Sequence, residues 1–127
     1  MKKETIVAEN KKHLSQLIKE EIKVNGNTCE LNHIDVSNVT DMSWLLHQSE
    51  FNGDISKWNV SNVKNMGHMF YKAKFNQDIS CWNVAGVENM HGMFCRSKFN
   101  QDISNWDVSK VIDMWGCLLY TSDAADE

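Results

Sequence analysis

An internal repeat of 24 residues constrains the fold of this chain more than any other feature of its sequence. The phenylalanines show it first, because Phe51, Phe75 and Phe99 follow one another at steps of 24 (75 − 51 and 99 − 75). The same step separates recurring Asp, Ile, Trp, Val and Met residues, and we call each set of equivalent positions in the repeats a column. The shared unit reads FNxDISxWxVxxVxxMxxMFxxxK. A unit this short cannot bury its own apolar face, so each copy must stack on its neighbours.

A diverged copy precedes the three clear ones. Its apolar residues stand 24 positions before those of the next unit, and they are Leu31, Ile34, Val36, Val39, Met42 and Leu46. We number the units repeat 1 (27–50), repeat 2 (51–74), repeat 3 (75–98) and repeat 4 (from 99). Repeat 4 loses the pattern after Gly116, so the repeat region spans 27–116 and its last unit is truncated.

Each unit predicts one short strand and one short helix. Ile55, Trp58 and Val60 have the L-x-x-L-x-L spacing, and their β-branched and aromatic character suits a strand. In 65–71, Met66, Met69 and Phe70 stand at i, i+3 and i+4, which is typical of one face of a helix. The predicted fold class is therefore an α/β solenoid with one strand and one helix in every 24-residue coil.

The repeated side chains should form ladders along the stack. We expect the Trp, Met and Phe columns to lie in the hydrophobic core, because a set of side chains that binds a cofactor would not recur in every coil. The sequence predicts no cofactor and no metal site. Asn52, Asn76 and Asn100 should hydrogen-bond between coils. Asp54, Asp78 and Asp102 would repel one another unless they close turns or hold a row of cations, and we favour turns.

Residues 1–26 do not repeat and predict an amphipathic helix. Leu14, Leu17, Ile18 and Ile22 lie on one helical face, and Asn10 and Gly26 suit its two ends; the first is a capping residue and the second a stop. The first coil of a solenoid must be shielded from water, so we predict an N-terminal capping helix. A helix that binds a partner is the alternative.

The last eleven residues, CLLYTSDAADE, break the repeat where Met and Phe should follow Gly116. All eleven match the in-frame translation of a transposase sequencing adapter. We therefore predict that 117–127 is a non-native tail and that the natural chain runs on with further repeats. A polar C-terminal cap is the alternative.

Composition and charge narrow the classes of function. A net charge of −4 offers no basic stripe, so no nucleic-acid partner is expected. No apolar run approaches the roughly 18 residues of a transmembrane helix, and the N-terminus lacks the apolar segment of a secretory signal. With Cys117 assigned to the tail, Cys29, Cys81 and Cys95 remain without CxxC spacing, which predicts reduced thiols.

The segments FNGDISKWNVSNVKNMGHMF, FNQDISCWNVAGVENMHGMF and FNQDISNWDVSKVIDM resemble the repeats of BspA-like bacterial surface proteins. These form a divergent leucine-rich-repeat family, and the resemblance covers roughly 27–116. It implies a leucine-rich-repeat-like solenoid with strands on one face, and roles in adhesion or protein binding. It carries over no catalytic motif. It also implies a secreted or surface location, with the cytoplasm as the alternative because no signal peptide is seen.

In the predicted strands, which have the L-x-x-L-x-L spacing, the x positions between the apolar residues should face outward. The candidate binding face therefore comprises His33, Asp35, Lys57, Asn59, Cys81, Asn83, Asn105 and Asp107. One column, occupied by Lys57, Cys81 and Asn105, varies while the core columns stay fixed. A ligand-binding face would vary in this way, and so would an unconstrained surface.

The predicted function is a non-enzymatic binding or adhesion module that takes a protein or a glycan through this face. Two alternatives stay open: an intracellular or phage-encoded scaffold of the same repeat, and a structural array stabilised by cations. No phosphate-binding loop or hydrolase motif points to an enzyme.

Overall fold

A computed structural model describes residues 3–115 of the chain. Its regular elements are strand β1 (Ile6–Val7), helix α1 (Lys11–Asn25) and strand β2 (Ile34–Asp35). β1 and β2 are parallel, with Ile6 opposite Ile34. The predicted tail 117–127 lies outside the described residues.

Helix α1 forms where the sequence predicts a helix. The side chain of Asn10 accepts a hydrogen bond from the N–H of His13 at 2.9 Å and so caps the first turn. Gly26 ends the helix at φ 87°, and its N–H donates to the carbonyl of Ile22. Leu14 and Ile18 are buried in the same apolar core as the repeats, so α1 packs on repeat 1 through the face that the sequence marks as apolar.

The aromatic columns stack along the repeats. The rings of Phe51 and Phe75 are 6.3 Å apart, and those of Phe75 and Phe99 are 6.2 Å apart. Trp82 lies between Trp58 and Trp106 at 6.3 and 6.5 Å, with the three indole planes nearly parallel. Trp58 and Trp82 are buried, as predicted. Each column therefore supplies a continuous strip of core.

Each tryptophan of this column also joins its repeat to the preceding one by a hydrogen bond. The indole N–H of Trp58 donates to the carbonyl of Leu31, and that of Trp82 donates to the carbonyl of Ile55, at 2.9 and 3.0 Å. Trp106 repeats the contact with Ile79 at 3.1 Å. A buried indole needs such an acceptor, so each Trp of the column both fills the core and binds the preceding repeat.

Backbone hydrogen bonds join the repeats at a second place. In segments 42–48 and 66–72, every other N–H donates to a carbonyl of the next repeat, and isolated parallel bridges join Asp41, Asn65, Asn89 and Asp113. Between repeats 1 and 2 the bonds run at 2.7–3.0 Å from Met42 to Asn65, Trp44 to Gly67, Leu46 to Met69, and Gln48 to Tyr71. Between repeats 2 and 3 they run at 2.8–3.0 Å from Met66 to Asn89, His68 to His91, Phe70 to Met93, and Lys72 to Cys95.

The helix predicted in 65–71 does not form. Residues 67–72 are consecutive turns, and His68 and Lys72 have positive φ values of 54° and 56°. A helix donates each N–H to a carbonyl within itself, whereas half of the N–H groups here donate to the next repeat. Met66, Met69 and Phe70 are nevertheless buried, so the spacing predicted the core residues and the wrong element.

The strand predicted at Ile55–Val60 does not form either. The N–H of Trp58 closes a turn on the carbonyl of Ile55, and Val63 does the same with Val60. The N–H groups of Ser56 and Lys57 donate to side-chain oxygens of Asp54 and Asn32. With these donors engaged, no backbone ladder can run through the segment.

Side-chain oxygens of Asp and Asn turn the chain at three places in each of repeats 2 to 4 and at two places in repeat 1. In repeat 2, Asp54, Asn59 and Asn65 each accept a hydrogen bond from the N–H two residues later, at 2.8–3.1 Å. The same bond occurs in the other repeats at Asp35, Asp41, Asp78, Asn83, Asn89, Asp102, Asp107 and Asp113. These Asx turns explain why the chain is rich in Asp and Asn.

The Asn52 column bonds between repeats, as the sequence predicts. The side-chain oxygen of Asn52 accepts the N–H of Asn76, and that of Asn76 accepts the N–H of Asn100, each at 2.8 Å. Gln77 and Gln101 donate to the same oxygens and to the carbonyls beside them.

We predict that Trp82→Ala lowers the free energy of unfolding by about 3–5 kcal/mol, because it opens a cavity between two stacked neighbours. Trp82→Phe should cost less, since it loses the hydrogen bond to Ile55 and keeps most of the packing. Urea denaturation measures both.

Cys81→Ser is the matched control, because Cys81 is the adjacent residue and its side chain is exposed. It should change the free energy of unfolding by no more than about 0.5 kcal/mol. A loss below about 1 kcal/mol for Trp82→Ala would contradict a buried Trp column.

Candidate functional site

The varying column of the predicted binding face lies at the surface. Lys57, Cys81 and Asn105 are all exposed and stand one repeat apart. Asn105 donates from its amide to the carbonyl of Ser80 at 3.3 Å, while the Lys57 side chain extends into solvent. The column is a polar surface strip with little apolar area to offer a partner.

Three other residues of the predicted binding face have side chains that close backbone turns. Asn59, Asn83 and Asp107 are exposed, but each uses a side-chain oxygen to accept the N–H two residues later, at 3.0–3.1 Å. Their identity is therefore explained by the backbone path, and a ligand would have to share these oxygens.

His33 is not on an open face, contrary to the prediction, and Asp35 is half-buried with its carboxylate accepting hydrogen bonds from Ser37. β1 lies along them, with the N–H of Ile6 donating to the carbonyl of His33 and the N–H of Ala8 to that of Asp35. The His33 side chain is 7% exposed, and its Nε2 lies 3.2 Å from a carboxylate oxygen of Glu21 in α1. The non-repeating N-terminus therefore covers the His33 side chain and runs along the backbone of Asp35.

A row of aromatic and imidazole rings crosses the surface where the turns 43–48, 67–72 and 91–96 lie. Trp44 stacks on His68 with ring centroids 4.2 Å apart and planes 5° apart. His68 lies 5.3 Å from His91, and His91 lies 4.9 Å from Trp115. Trp44 and Trp115 are 44% and 59% exposed. We call these four residues the aromatic row.

The turn conformation explains why the row is continuous. Trp44, His68 and Gly92 occupy one column, and all three have positive φ. A Cβ atom at Gly92 would come within 2.7 Å of the His68 ring, so only glycine leaves that ring in place. His91, one position earlier, then continues the row.

The aromatic row was not predicted, although the sequence carries a signal for it. Trp44 and Trp115 fall outside the column of Trp58, Trp82 and Trp106, so the core does not account for them. Their alignment with His68 and His91 depends on left-handed backbone that residue type alone does not reveal.

The imidazoles of the row have different surroundings. Burial against neighbouring rings lowers the pKa of His68, and the nearby His91 lowers it further. Nδ1 of His91 lies 2.8 Å from a carboxylate oxygen of Asp113, and that hydrogen bond lowers the pKa of Asp113. Both effects favour the neutral form of His68, whose ring lies face to face on the indole of Trp44.

A groove of about 720 Å³ opens beside the first ring of the row. α1 forms one wall and residues 43–49 form the other, with Trp44 at its edge. Lys11 joins the two walls, since its ammonium group lies 3.5 Å from a carboxylate oxygen of Asp41 and 3.2 Å from the carbonyl of Ser43.

The Asp54 column has the geometry of a turn device. The N–H of the serine two residues on, and then its hydroxyl, lower the pKa of Asp54, Asp78 and Asp102. Within residues 3–115, no three His, Cys, Asp or Glu side chains lie close enough together to hold a metal ion.

Comparison with known proteins agrees with a tandem-repeat protein. The family model described as "Mycoplasma protein of unknown function, DUF285" matches residues 12–126, and the chain belongs to that family. The match covers α1 and the repeats and runs into the predicted tail. No curated protein and no solved structure matches the chain. No helix in the described part of the chain is long and apolar enough to cross a membrane.

Acid should destabilise the fold through the Asp turns. A carboxyl group whose pKa is lower in the folded state stabilises the fold above its unfolded pKa of about 3.9, and this contribution is lost as the pH falls through the folded value. Asp78→Asn keeps the turn acceptor and removes the titration. We predict that this variant loses less stability than the wild type between about pH 5 and about pH 2, as measured by urea denaturation.

Glu88→Gln is the control for this experiment, because Glu88 is exposed and its carboxylate accepts no hydrogen bond within residues 3–115. It should follow the wild-type pH profile. An Asp78→Asn profile identical to the wild type would show that the Asp78 turn does not depend on charge.

Calcium should not change the stability of the repeats. Ca²⁺ takes about 6–8 oxygen ligands, and one oxygen of each carboxylate in the Asp54 column already accepts a backbone N–H. We predict equal melting temperatures in millimolar calcium chloride and in EDTA. A rise with calcium that Asp78→Asn abolishes would instead establish a cation array.

Proposed function

We propose that this chain is a non-enzymatic binding module of the BspA-like kind, displayed at a bacterial surface and binding a protein or a glycan. Its repeats form a leucine-rich-repeat-like solenoid in this proposal, and α1 caps the first coil. The repeat motifs support the BspA-like assignment, and the stacked Trp and Phe columns support the solenoid.

The aromatic row is the observation that carries the proposal. Large rings at a surface lose the benefit of burial, and aromatic residues are enriched where proteins bind partners. Here the rings of Trp44, His68 and His91 come from three successive repeats and form one row, in which Trp44 is exposed and the two histidines are half-buried. A partner that lies across the stack would contact all of them.

The repeated polar side chains support a non-enzymatic role. Asp54, Asn59 and Asn65, and their equivalents in the next repeats, close turns. The Asn52 column bonds neighbouring repeats together. The polar groups that the repeat maintains thus have structural partners, and catalysis would need a local, asymmetric cluster.

A scaffold inside the cell is the alternative, and cell labelling separates the two. An antibody against the chain that labels intact cells of the source organism would support surface display. Labelling that requires lysis would support the scaffold.

We predict that Trp44→Ala weakens binding by about tenfold or more to any ligand found on panels of glycans and immobilised extracellular proteins, because it removes an exposed indole at the α1 end of the aromatic row. His91→Ala should weaken the same interaction. Surface plasmon resonance measures both affinities.

Lys57→Ala is the matched control, since Lys57 belongs to the polar column of the predicted face. Its affinity should stay within about twofold of the wild type. A ligand whose affinity falls with Lys57→Ala and not with Trp44→Ala would place binding on the polar column and overturn the role of the aromatic row.

A further inference from the structure

The groove between α1 and repeat 1 has an uneven distribution of charge. Lys11, Lys12 and Lys19 line it, and no acidic side chain does so within the described part of the chain. Lys11 pairs with Asp41. Lys12 and Lys19 have no ion-pair partner among residues 3–115, and both are exposed. In a chain with a net charge of −4, these two unpaired cations give the groove a locally positive charge.

Apolar side chains also line the groove, in addition to the lysines. Ile22 and Leu45 are partly buried against the core and line the groove with Trp44. One face of the Trp44 indole stacks on His68 from the next repeat, while the residue borders the groove on the side of α1. A side chain that enters the groove would therefore exchange water for aliphatic and aromatic contacts.

We propose that this groove binds an acidic peptide segment of a partner protein, with one apolar side chain in the groove and carboxylates on Lys12 and Lys19. The proposal rests on the binding function proposed above and assigns it a site and a ligand class. It extends the aromatic row, whose first member is Trp44, onto α1.

The spacing of the cations fixes the peptide pattern. Lys12 and Lys19 are seven residues apart on α1 and so on the same side of the helix, separated by roughly 10 Å along its axis. A peptide in the polyproline II conformation has three residues per turn and rises about 3.1 Å per residue, so its side chains three positions apart lie on the same side, about 9 Å from each other. The matching segment therefore carries two acidic residues three positions apart, with an apolar residue between them.

The apolar lining favours a peptide over a sugar. A glycan offers hydroxyl groups to Ile22 and Leu45, which can donate and accept no hydrogen bond, whereas a Leu or Phe side chain matches them. Polar groups at the rim, such as Ser15 and Gln16, are suited to the peptide backbone.

The test is a selection from a phage-displayed library of random peptides on the full chain, followed by fluorescence anisotropy with the selected peptide. We expect enriched sequences with an acidic pair three residues apart around a Leu, Ile or Phe. Lys12→Glu/Lys19→Glu should weaken binding by at least about tenfold, because reversed rim charges repel the carboxylates.

The control is Lys74→Glu/Lys98→Glu, which changes the net charge equally at two exposed positions that do not line the groove. It should bind the peptide within about twofold of the wild type. Circular dichroism melting of both double variants checks that each is folded. Enriched peptides without acidic pairs, or equal affinity in the two double variants, would overturn the proposal.

A parallel glycan panel separates this inference from the function on which it rests. Glycan binding that His91→Ala weakens, with no acidic peptide selected, would keep the binding function and reject the peptide groove. Peptide binding that depends on Lys12 and Lys19, and is unaffected by His91→Ala, would support the groove and confine the ligand to it.

Discussion

Hydrogen bonds from the N–H groups of one repeat to the carbonyls of the next are the interaction on which the rest of the structure depends. They use every other N–H in segments such as 66–72. The intervening N–H groups close tight turns on their own repeat, as Met69 does with Met66 and Tyr71 with His68. Because the backbone donors are satisfied in this way, the chain can bury Met, Phe and Trp columns beneath turns without a helix or a continuous sheet.

The same turns create the surface that we assign to binding. Left-handed residues recur at two positions of the segment, among them Trp44, His68 and Lys72, and the first of these positions directs rings outward. The stacking that aligns buried Phe75 with Phe99 also aligns exposed Trp44 with His68. One periodic backbone therefore produces an interior ladder and an exterior row.

The 24-residue period predicted the buried columns, because repeats that stack place their equivalent residues one above another. Trp82 and Phe75 are buried in this way. The end residues of α1 were predictable because Asn10 and Gly26 act locally. The spacing of Met66, Met69 and Phe70 could not separate a helix from a chain of turns, since both bury the same three residues. The covering of His33 by β1 was not predictable, because Ile6 lies outside the repeat. The aromatic row depends on positive φ at non-glycine residues, which no residue pattern specifies.

The placement of the bonds between repeats has a mechanical consequence. They run in both directions, as from Trp44 to Gly67 and from Lys64 back to Thr40, and these bonds join a repeat to its neighbour. A repeat at the end of the stack has one such neighbour instead of two and would separate first under tension, and each release would lengthen the chain by roughly 80 Å for its 24 residues. Pulled in this way, the array would act as a stepwise extensible tether that absorbs work one repeat at a time.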